Sequence, residues 1–232
     1  MTDVASLNAA AQEIAKLTGG VVDYLIVNGA VMLEEPASMS PTDFIGKEQL
    51  WLDAMKASID TNTTGVLFSV NAFLPYIRKS PIKKITVISS GMADTEFIKV
   101  AEVSQSVPYS ISKAATNVLV AKYAVELRSE GITVLALSPG LVLTAAPSLD
   151  DRRLTLRILD CRQLLTVIVV PPEARAGYDW MTNQFQKYEP GFKGPIGPAE
   201  SIEKCLKVIE GVTVKDSGEF LSHLGNMRWL EG

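Results

Sequence analysis

Residues 109–140 decide the fold, and they read YSISKAATNVLVAKYAVELRSEGITVLALSPG. Apolar residues recur here at i, i+4, i+7 and i+11, which predicts a helix over residues 109–130 with one apolar face. The residues of that apolar stripe are Ala114, Val118, Ala121 and Val125. Gly131 is suited to end the helix, and the run Ile132–Leu137 then predicts a strand buried on both faces, which Ser138-Pro139-Gly140 terminates.

Two more apolar runs extend this pattern toward the N-terminus. Residues 21–27 and 85–88 are each followed by a turn sequence, so both predict buried strands. Further helices are predicted over residues 3–17, 46–58, 62–78 and 201–210, and a short last strand over 218–222. Strands that alternate with helices indicate an α/β fold, here a Rossmann-like doubly wound parallel sheet.

Composition and charge exclude several classes of protein. The chain has 232 residues, 47% hydrophobic and 21% charged, which predicts one globular domain. The net charge is -4 and no Lys or Arg cluster is denser than a pair, so nucleic acid and membrane surfaces are not expected partners. Two cysteines and one histidine make a disulfide scaffold or a metal site unexpected. Because residues 1–16 do not resemble a secretory signal and no apolar run could span a membrane, we expect a soluble, cytoplasmic protein.

Four polar or glycine-containing segments follow the predicted strands or open the next helix. They are Asn28-Gly29-Ala30, Ser89-Ser90, Tyr109–Lys113 and Pro139–Thr144. In an open α/β sheet this carboxyl edge is where ligands bind. Each segment alone has an ordinary structural explanation, such as a turn or a chance match. Their placement along one edge and their order are more specific, and predict a shared site.

The types of residue in this site suit the interconversion of a carbonyl and an alcohol. Tyr109 and Lys113 are spaced i, i+4, so a helix places them on one face. A tyrosine with a pKa of ~10 is a poor acid–base group near neutrality, and a nearby ammonium is expected to lower that pKa. A serine hydroxyl could hold a carbonyl oxygen while Tyr109 transfers its proton.

The set resembles the short-chain dehydrogenase/reductase family, whose members carry an NNAG element, an Asn, a Ser, a YxxxK and a PG motif in this order. The resemblance runs from residue 3 to residue 144, and more weakly from 194 to 229. It implies four catalytic residues. For the serine, Ser90 is the favoured match to the family motif and Ser89 the less favoured one. The four residues are Asn62, which would hold a proton-relay water, Ser90, which would bind the carbonyl, Tyr109 as acid/base, and Lys113, which would hold the nicotinamide ribose.

The resemblance also implies NADP, or NAD, as cofactor. The implied cofactor contacts are Asp3, Asn28, Tyr109, Lys113, Val142 and Thr144. The family's glycine-rich turn TGxxxGxG, which cradles the pyrophosphate, does not occur in the sequence. We therefore expect a sheet truncated in its N-terminal half, weak cofactor binding, and an open edge at strand 22–27 that favours a homo-oligomer or pairing with another chain.

A single Rossmann-like domain is expected over residues 1–232. Residues 1–144 form its core with the catalytic motifs, 145–198 a substrate lid or insert, and 199–232 a C-terminal helix and strand. Residues 149–170 do not resemble the family's lid, so we interpret them as a lineage insertion or a translated intron.

The predicted function is NAD(P)-dependent interconversion of a ketone and a secondary alcohol on a small organic substrate. The sequence of residues 89–94 resembles that of fungal members of the family, which suggests that the substrate is a secondary metabolite. Two alternatives remain open. One is a cofactor-independent isomerase or cyclase that uses Tyr109, and the other is a non-catalytic subunit that docks through its open strand edge.

Overall fold

The computed structural model describes residues 1–143 and 175–230. The strands in these ranges are β1 (Tyr24–Val27), β2 (Lys84–Ile88), β3 (Thr133–Ser138) and β4 (Phe220–Ser222). The helices are α1 (Val4–Leu17), α2 (Glu34–Ala37), α3 (Glu48–Ile59), α4 (Gly65–Ile77), α5 (Thr95–Val100), α6 (Val107–Leu127), α7 (Arg175–Tyr188) and α8 (Pro198–Gly211). Across the same ranges, every helix is too short or too polar to cross a membrane.

The strands form one parallel sheet in the order β1-β2-β3-β4. Thr86 in β2 is in register with Ile26 of β1 and Leu135 of β3, so the carboxyl ends of these strands meet at one edge. This confirms the predicted α/β parallel sheet. Strand β1 is shorter than the predicted 21–27 and forms the edge of the sheet as far as the described residues show.

Helices cover both faces of the sheet. One face packs against α4 and α6, where Val70 and Leu127 meet Val134 of β3 in the main core. On the opposite face, Leu135 of β3 packs against Ile209 of α8. Since alternate β3 residues enter the two cores, all six β3 residues are buried, as the continuous apolar run predicts.

The predicted core face of α6 was wrong, although the helix itself is confirmed. Val118 and Val125 of the predicted stripe are 61% and 70% exposed, whereas Val120 and Leu127 are fully buried. The error has a physical cause: near its start the buried face of α6 carries polar side chains, including Lys113, so an apolar pattern points to the wrong side. What these buried polar groups contact is described below.

The two helices predicted over 46–58 and 62–78 correspond to α3 and α4, which follow each other without a loop between them. Residues Asp60–Thr64 form a π-helical turn between α3 and α4. Pro75 lies inside the last turn of α4, which continues to Ile77. A π-turn inserts a residue into the helical repeat and is frequent at functional sites. Here it contains Asn62, one of the predicted catalytic residues.

The C-terminal elements agree with the sequence, while part of the predicted lid is outside the described residues. Helix α8 and strand β4 correspond to the predicted 201–210 helix and 218–222 strand. Of the predicted lid over 145–198, residues 175–188 form α7. Thr144 and the segment 149–170 lie outside the described ranges.

We expect neighbouring residues on α6 to respond differently to truncation. Leu127→Ala should lower the free energy of unfolding by about 2–5 kcal/mol, because it leaves a cavity in the main core. Val125→Ala, two residues away and exposed, should change it by less than about 0.5 kcal/mol. Urea unfolding of both variants measures this. Equal losses would mean that the buried face of α6 is misassigned.

Candidate active site

The candidate site lies at the carboxyl edge of the sheet. Strand β2 ends at Ile88 and delivers Ser89 and Ser90 to this edge. Helix α6 begins beside it with Tyr109 and Lys113 in its first turns. The order of elements therefore brings together residues that are far apart in the sequence.

The two serines have different surroundings, which separates the two possible registers. Ser89 is buried and donates its hydroxyl to Asn117 Oδ1 at 2.7 Å, away from the tyrosine. Ser90 caps the turn that follows β2, where its Oγ accepts from Met92 N at 3.2 Å. Hydrogen bonding from the Ser90 side chain acts to lower the pKa of Tyr109. These contacts favour Ser90 over Ser89 as the serine that acts on Tyr109.

Lys113 is held beneath this pair by the backbone of β2. Its side chain is 3% exposed, and Nζ donates to the backbone oxygen of Ile88 at 2.7 Å. The same Nζ lies 5.7 Å from the centre of the Tyr109 ring. Burial lowers the pKa of Lys113 to about 8, so near neutral pH the side chain still carries its charge for most of the time.

The pKa of Tyr109 does not show the net lowering that the sequence predicted. Burial raises the pKa of Tyr109 above its ordinary value, and the hydrogen bond from Ser90 opposes that shift only in part. The loss of hydration destabilises the phenolate by more free energy than hydrogen bonding to it restores. Tyr109 is therefore a neutral phenol near neutral pH, and in that state it can give a proton to a carbonyl oxygen but cannot accept one.

Asn62 is fully buried in the π-turn and links the two halves of the site. Its Oδ1 accepts from Val31 N at 2.7 Å, and its Nδ2 donates to Val31 O at 2.9 Å and to Ser112 Oγ at 2.9 Å. The backbone oxygen of Asn62 also accepts from Thr116 Oγ1 at 2.7 Å. Asn62 thus fastens the loop after β1 to the start of α6.

The predicted cofactor contacts are only partly brought together. Asn28 follows β1 at the same sheet edge, and Val142 pairs with Ile196 in an isolated bridge beyond β3. Asp3 is exposed and caps α1, where its Oδ1 accepts from Ser6 N at 3.1 Å.

The sequence interpretation missed several residues that shape the site. Ser112 donates to Tyr109 O at 2.7 Å and accepts from Asn62, so it connects the π-turn with the tyrosine backbone. The polar positions 109, 112, 113 and 116 are spaced i, i+3, i+4 and i+7, and this polar stripe was a readable signal for the buried face of α6. Trp229, which contacts the turn after Ser90, gave no comparable signal because it lies at the far end of the chain.

An aromatic wall and a cavity of about 390 Å³ lie next to the Ser90 turn. Phe97 contacts Phe185 of α7 edge to face, with ring centres 5.0 Å apart. Trp229 is part of the same buried cluster and also lines the cavity, together with Leu141 and His223. Ser90, Tyr109 and Lys113 do not line this cavity, which adjoins the candidate site through Trp229.

Comparison with known proteins identifies the family. A family model described as short chain dehydrogenase matches residues 1–152, which include the serine, the tyrosine and the lysine. The chain belongs to this family. Its sheet order and its motif order agree with that assignment.

Three relatives define the relationship more closely. The chain is 38% identical to the short-chain dehydrogenase/reductase AacuF of Aspergillus aculeatus, and the match covers 99% of the chain and 79% of the relative. It is 36% identical to the short-chain dehydrogenase/reductase atnB of an Arthrinium species, with the same coverage. Among solved structures, an NADPH-bound carbonyl reductase from chicken fatty liver matches with a TM-score of 0.63 and 25% identity, covering 97% of the chain and 73% of that structure. These likenesses support an enzyme that carries out NAD(P)-dependent oxidoreduction on a small molecule.

Burial of Lys113 predicts a pH-dependent stability. The pKa of Lys113 is about 8 when folded against 10.5 ordinarily, so between these values the unfolded chain binds the extra proton. The free energy of unfolding should therefore rise with pH, by about 2 kcal/mol between pH 7.5 and 9.5 relative to Lys113→Met. Urea unfolding of both proteins at the two pH values measures the difference. The same pH dependence in both proteins would mean that Lys113 is not desolvated.

Proposed function

We propose that this short-chain dehydrogenase/reductase interconverts a ketone and a secondary alcohol, with a reduced or oxidised nicotinamide as the second substrate. The observation that carries the proposal is the buried Lys113, whose Nζ donates to the Ile88 backbone oxygen at the end of β2 and lies 5.7 Å from the centre of the Tyr109 ring, with Ser90 two residues beyond Ile88. Two hydroxyl groups that converge on one point could both contact a single carbonyl oxygen.

The residues present fit the nicotinamide half of such a cofactor. The ammonium of Lys113 has three donors, and the backbone oxygen of Ile88 takes one of them. The remaining donors suit the hydroxyl groups of a ribose. When bound, the nicotinamide supplies or removes a hydride at the carbonyl carbon.

The protein side chains would handle the carbonyl oxygen and its proton. In the reductive direction, Ser90 donates a hydrogen bond to that oxygen, and Tyr109 transfers its proton as the C–O bond becomes single. Because burial raises the pKa of Tyr109, the phenol needed for this step is present at neutral pH. We therefore propose ketone reduction as the favoured direction near neutral pH, with alcohol oxidation increasing at alkaline pH.

Asn62 acts in this proposal as the residue that connects Tyr109 to the interior. Its amide bonds to Ser112, and Ser112 in turn bonds to the backbone oxygen of Tyr109. These bonds reach only the backbone of Tyr109, so the proton lost from its hydroxyl would be replaced through a separate water, which the family resemblance assigns to Asn62. Asn62 therefore stays the proposed proton-relay residue.

Tyr109→Phe should lower kcat by about 10²–10⁴-fold, because it removes the proton donor and little volume. The matched control is Tyr123→Phe on the same helix, whose hydroxyl donates to Asn71 Oδ1 at 2.7 Å away from the site. NADPH consumption with a panel of aliphatic and aromatic ketones provides the assay. Equal activity in both variants would remove Tyr109 from the chemistry.

The same assay separates the two alternative functions. A cofactor-independent isomerase or cyclase would convert its substrate without NADPH and would still lose activity in Tyr109→Phe. A non-catalytic subunit would show neither activity. The Ser90, Tyr109 and Lys113 arrangement favours an enzyme, since a docking subunit needs none of these contacts.

The proposed cofactor is NADP, or NAD, bound weakly by residues 1–232. This stretch holds no TGxxxGxG turn, and each hydrogen bond to a charged group that is missing costs roughly 1.5–3 kcal/mol. Calorimetry should therefore give a dissociation constant for NADPH well above about 1 μM. Lys113→Met should weaken binding further, because it removes the donors on the ribose side. Micromolar binding by the wild-type chain would contradict the proposal.

We also propose that the edge strand β1 pairs with a second copy or with another chain, in the cytoplasm. Tyr24 in this strand is 40% exposed, and an open strand edge is a template for pairing. Light scattering should show self-association that Tyr24→Glu reduces. The control Val118→Glu adds the same charge to the exposed side of α6. If only the control reduced the mass, the contact would lie on α6 instead.

A further inference from the structure

The turn that carries Ser90 is held by contacts outside the catalytic set. It runs from Ser90 through a short 3-10 turn, Gly91–Ala93, to Asp94, which caps α5. Gly91 N donates to Ser138 Oγ at 3.1 Å at the end of β3. The Ser90 hydroxyl stands at the start of this turn, so its direction depends on how the turn is fixed.

Trp229 contacts this turn at both of its ends. Its Nε1 donates to Asp94 Oδ2 at 2.5 Å. At the other end, a Cβ added to Gly91 would come within 3.1 Å of the Cβ of Trp229, which shows how closely the backbone approaches the indole. Trp229 is 2% exposed and lies 135 residues away in the sequence from Asp94.

The indole is itself held rigidly. Its ring stacks on Phe220 of β4, with centres 4.3 Å apart and planes 26° apart. Asp94 has a second task, since its Oδ1 accepts from Glu96 N at 2.8 Å at the start of α5. The carboxylate therefore ties the Ser90 turn, the cap of α5 and the C-terminal segment into one unit.

We propose that Trp229 is a positioning residue that sets the orientation of the Ser90 hydroxyl toward Tyr109. The proposal rests on the proposed function of Ser90. Trp229 acts through the turn. The stacked indole holds Asp94 by a hydrogen bond and packs against Gly91, and Gly91 is the residue that follows Ser90 in the chain. Small displacements at a reacting centre are costly, about 10²-fold in rate for a shift of 1 Å.

The first test compares Trp229→Phe, which keeps an aromatic ring but removes the donor, with Trp51→Phe. Trp51 packs edge to face on Phe44, with ring centres 5.1 Å apart, far from the turn in the sequence. We expect kcat to fall roughly tenfold to hundredfold in Trp229→Phe, with KM changed by less than about threefold, and no change in Trp51→Phe.

The second test asks whether Trp229 acts through Ser90. In a Ser90→Ala background, Trp229→Phe should cause no further loss of kcat, because the hydroxyl that it positions is gone. If the fold-losses in kcat from the two substitutions multiplied in the double variant, Trp229 would act independently of Ser90, and the inference would be overturned. Wild-type kcat in Trp229→Phe, beside a strong loss in Ser90→Ala, would also overturn it and leave the proposed function intact. A harmless Ser90→Ala would instead contradict the proposed function.

A third readout is spectroscopic and requires no enzymatic turnover. With tyrosine labelled by ¹³C at Cζ, the Tyr109 resonance should shift in Trp229→Phe toward its position in Ser90→Ala, and stay unchanged in Trp51→Phe. If Trp229→Phe does not fold, Asp94→Asn weakens the same contact by removing the charge, and should shift the resonance in the same direction. A Tyr109 resonance unmoved in the folded variant would overturn the inference.

Discussion

The hydrogen bond from Lys113 Nζ to the backbone oxygen of Ile88 is the contact on which the site depends. It fastens the first turns of α6 to the last residue of β2 at 2.7 Å. Tyr109 lies one helical turn before Lys113, and Ser90 lies two residues after Ile88. One contact between a helix and a strand therefore fixes the relative position of the two hydroxyl groups that meet a carbonyl in the proposed reaction. The cost is a buried ammonium, which is visible in the lowered pKa of Lys113.

The other buried polar side chains on this face of α6 are satisfied by hydrogen bonds of their own. Asn62, Ser112 and Thr116 bond to one another or to backbone atoms, so the polar face of α6 meets a polar surface rather than an apolar core. The π-turn matters here because it presents Asn62 toward α6 while α3 and α4 continue on either side. A buried network is stabilising only when its members are satisfied, and losing one of them would leave the others without partners.

The sequence predicted the parallel sheet and strands β2 and β3, because continuous apolar runs depend on local sequence. It did not predict the buried face of α6, because the polar residues Lys113 and Thr116 occupy that face. The apolar pattern therefore indicated the face that carries Val118, which is exposed. It also assigned the wrong sign to the pKa shift of Tyr109, because desolvation depends on packing that no spacing rule contains. The contact of Trp229 with Asp94 spans 135 residues and could come only from the folded chain.

The most direct test of this account is the titration of Tyr109 itself. With tyrosine labelled at the ζ carbon, the resonance that disappears in Tyr109→Phe can be followed from pH 6 to 11. We predict that it stays that of a neutral phenol to beyond about pH 10, because burial raises the pKa of Tyr109 and the hydrogen bond from Ser90 offsets this only in part. A midpoint near pH 8 or below would contradict the account, and would mean that Lys113 and not desolvation controls the acid–base group.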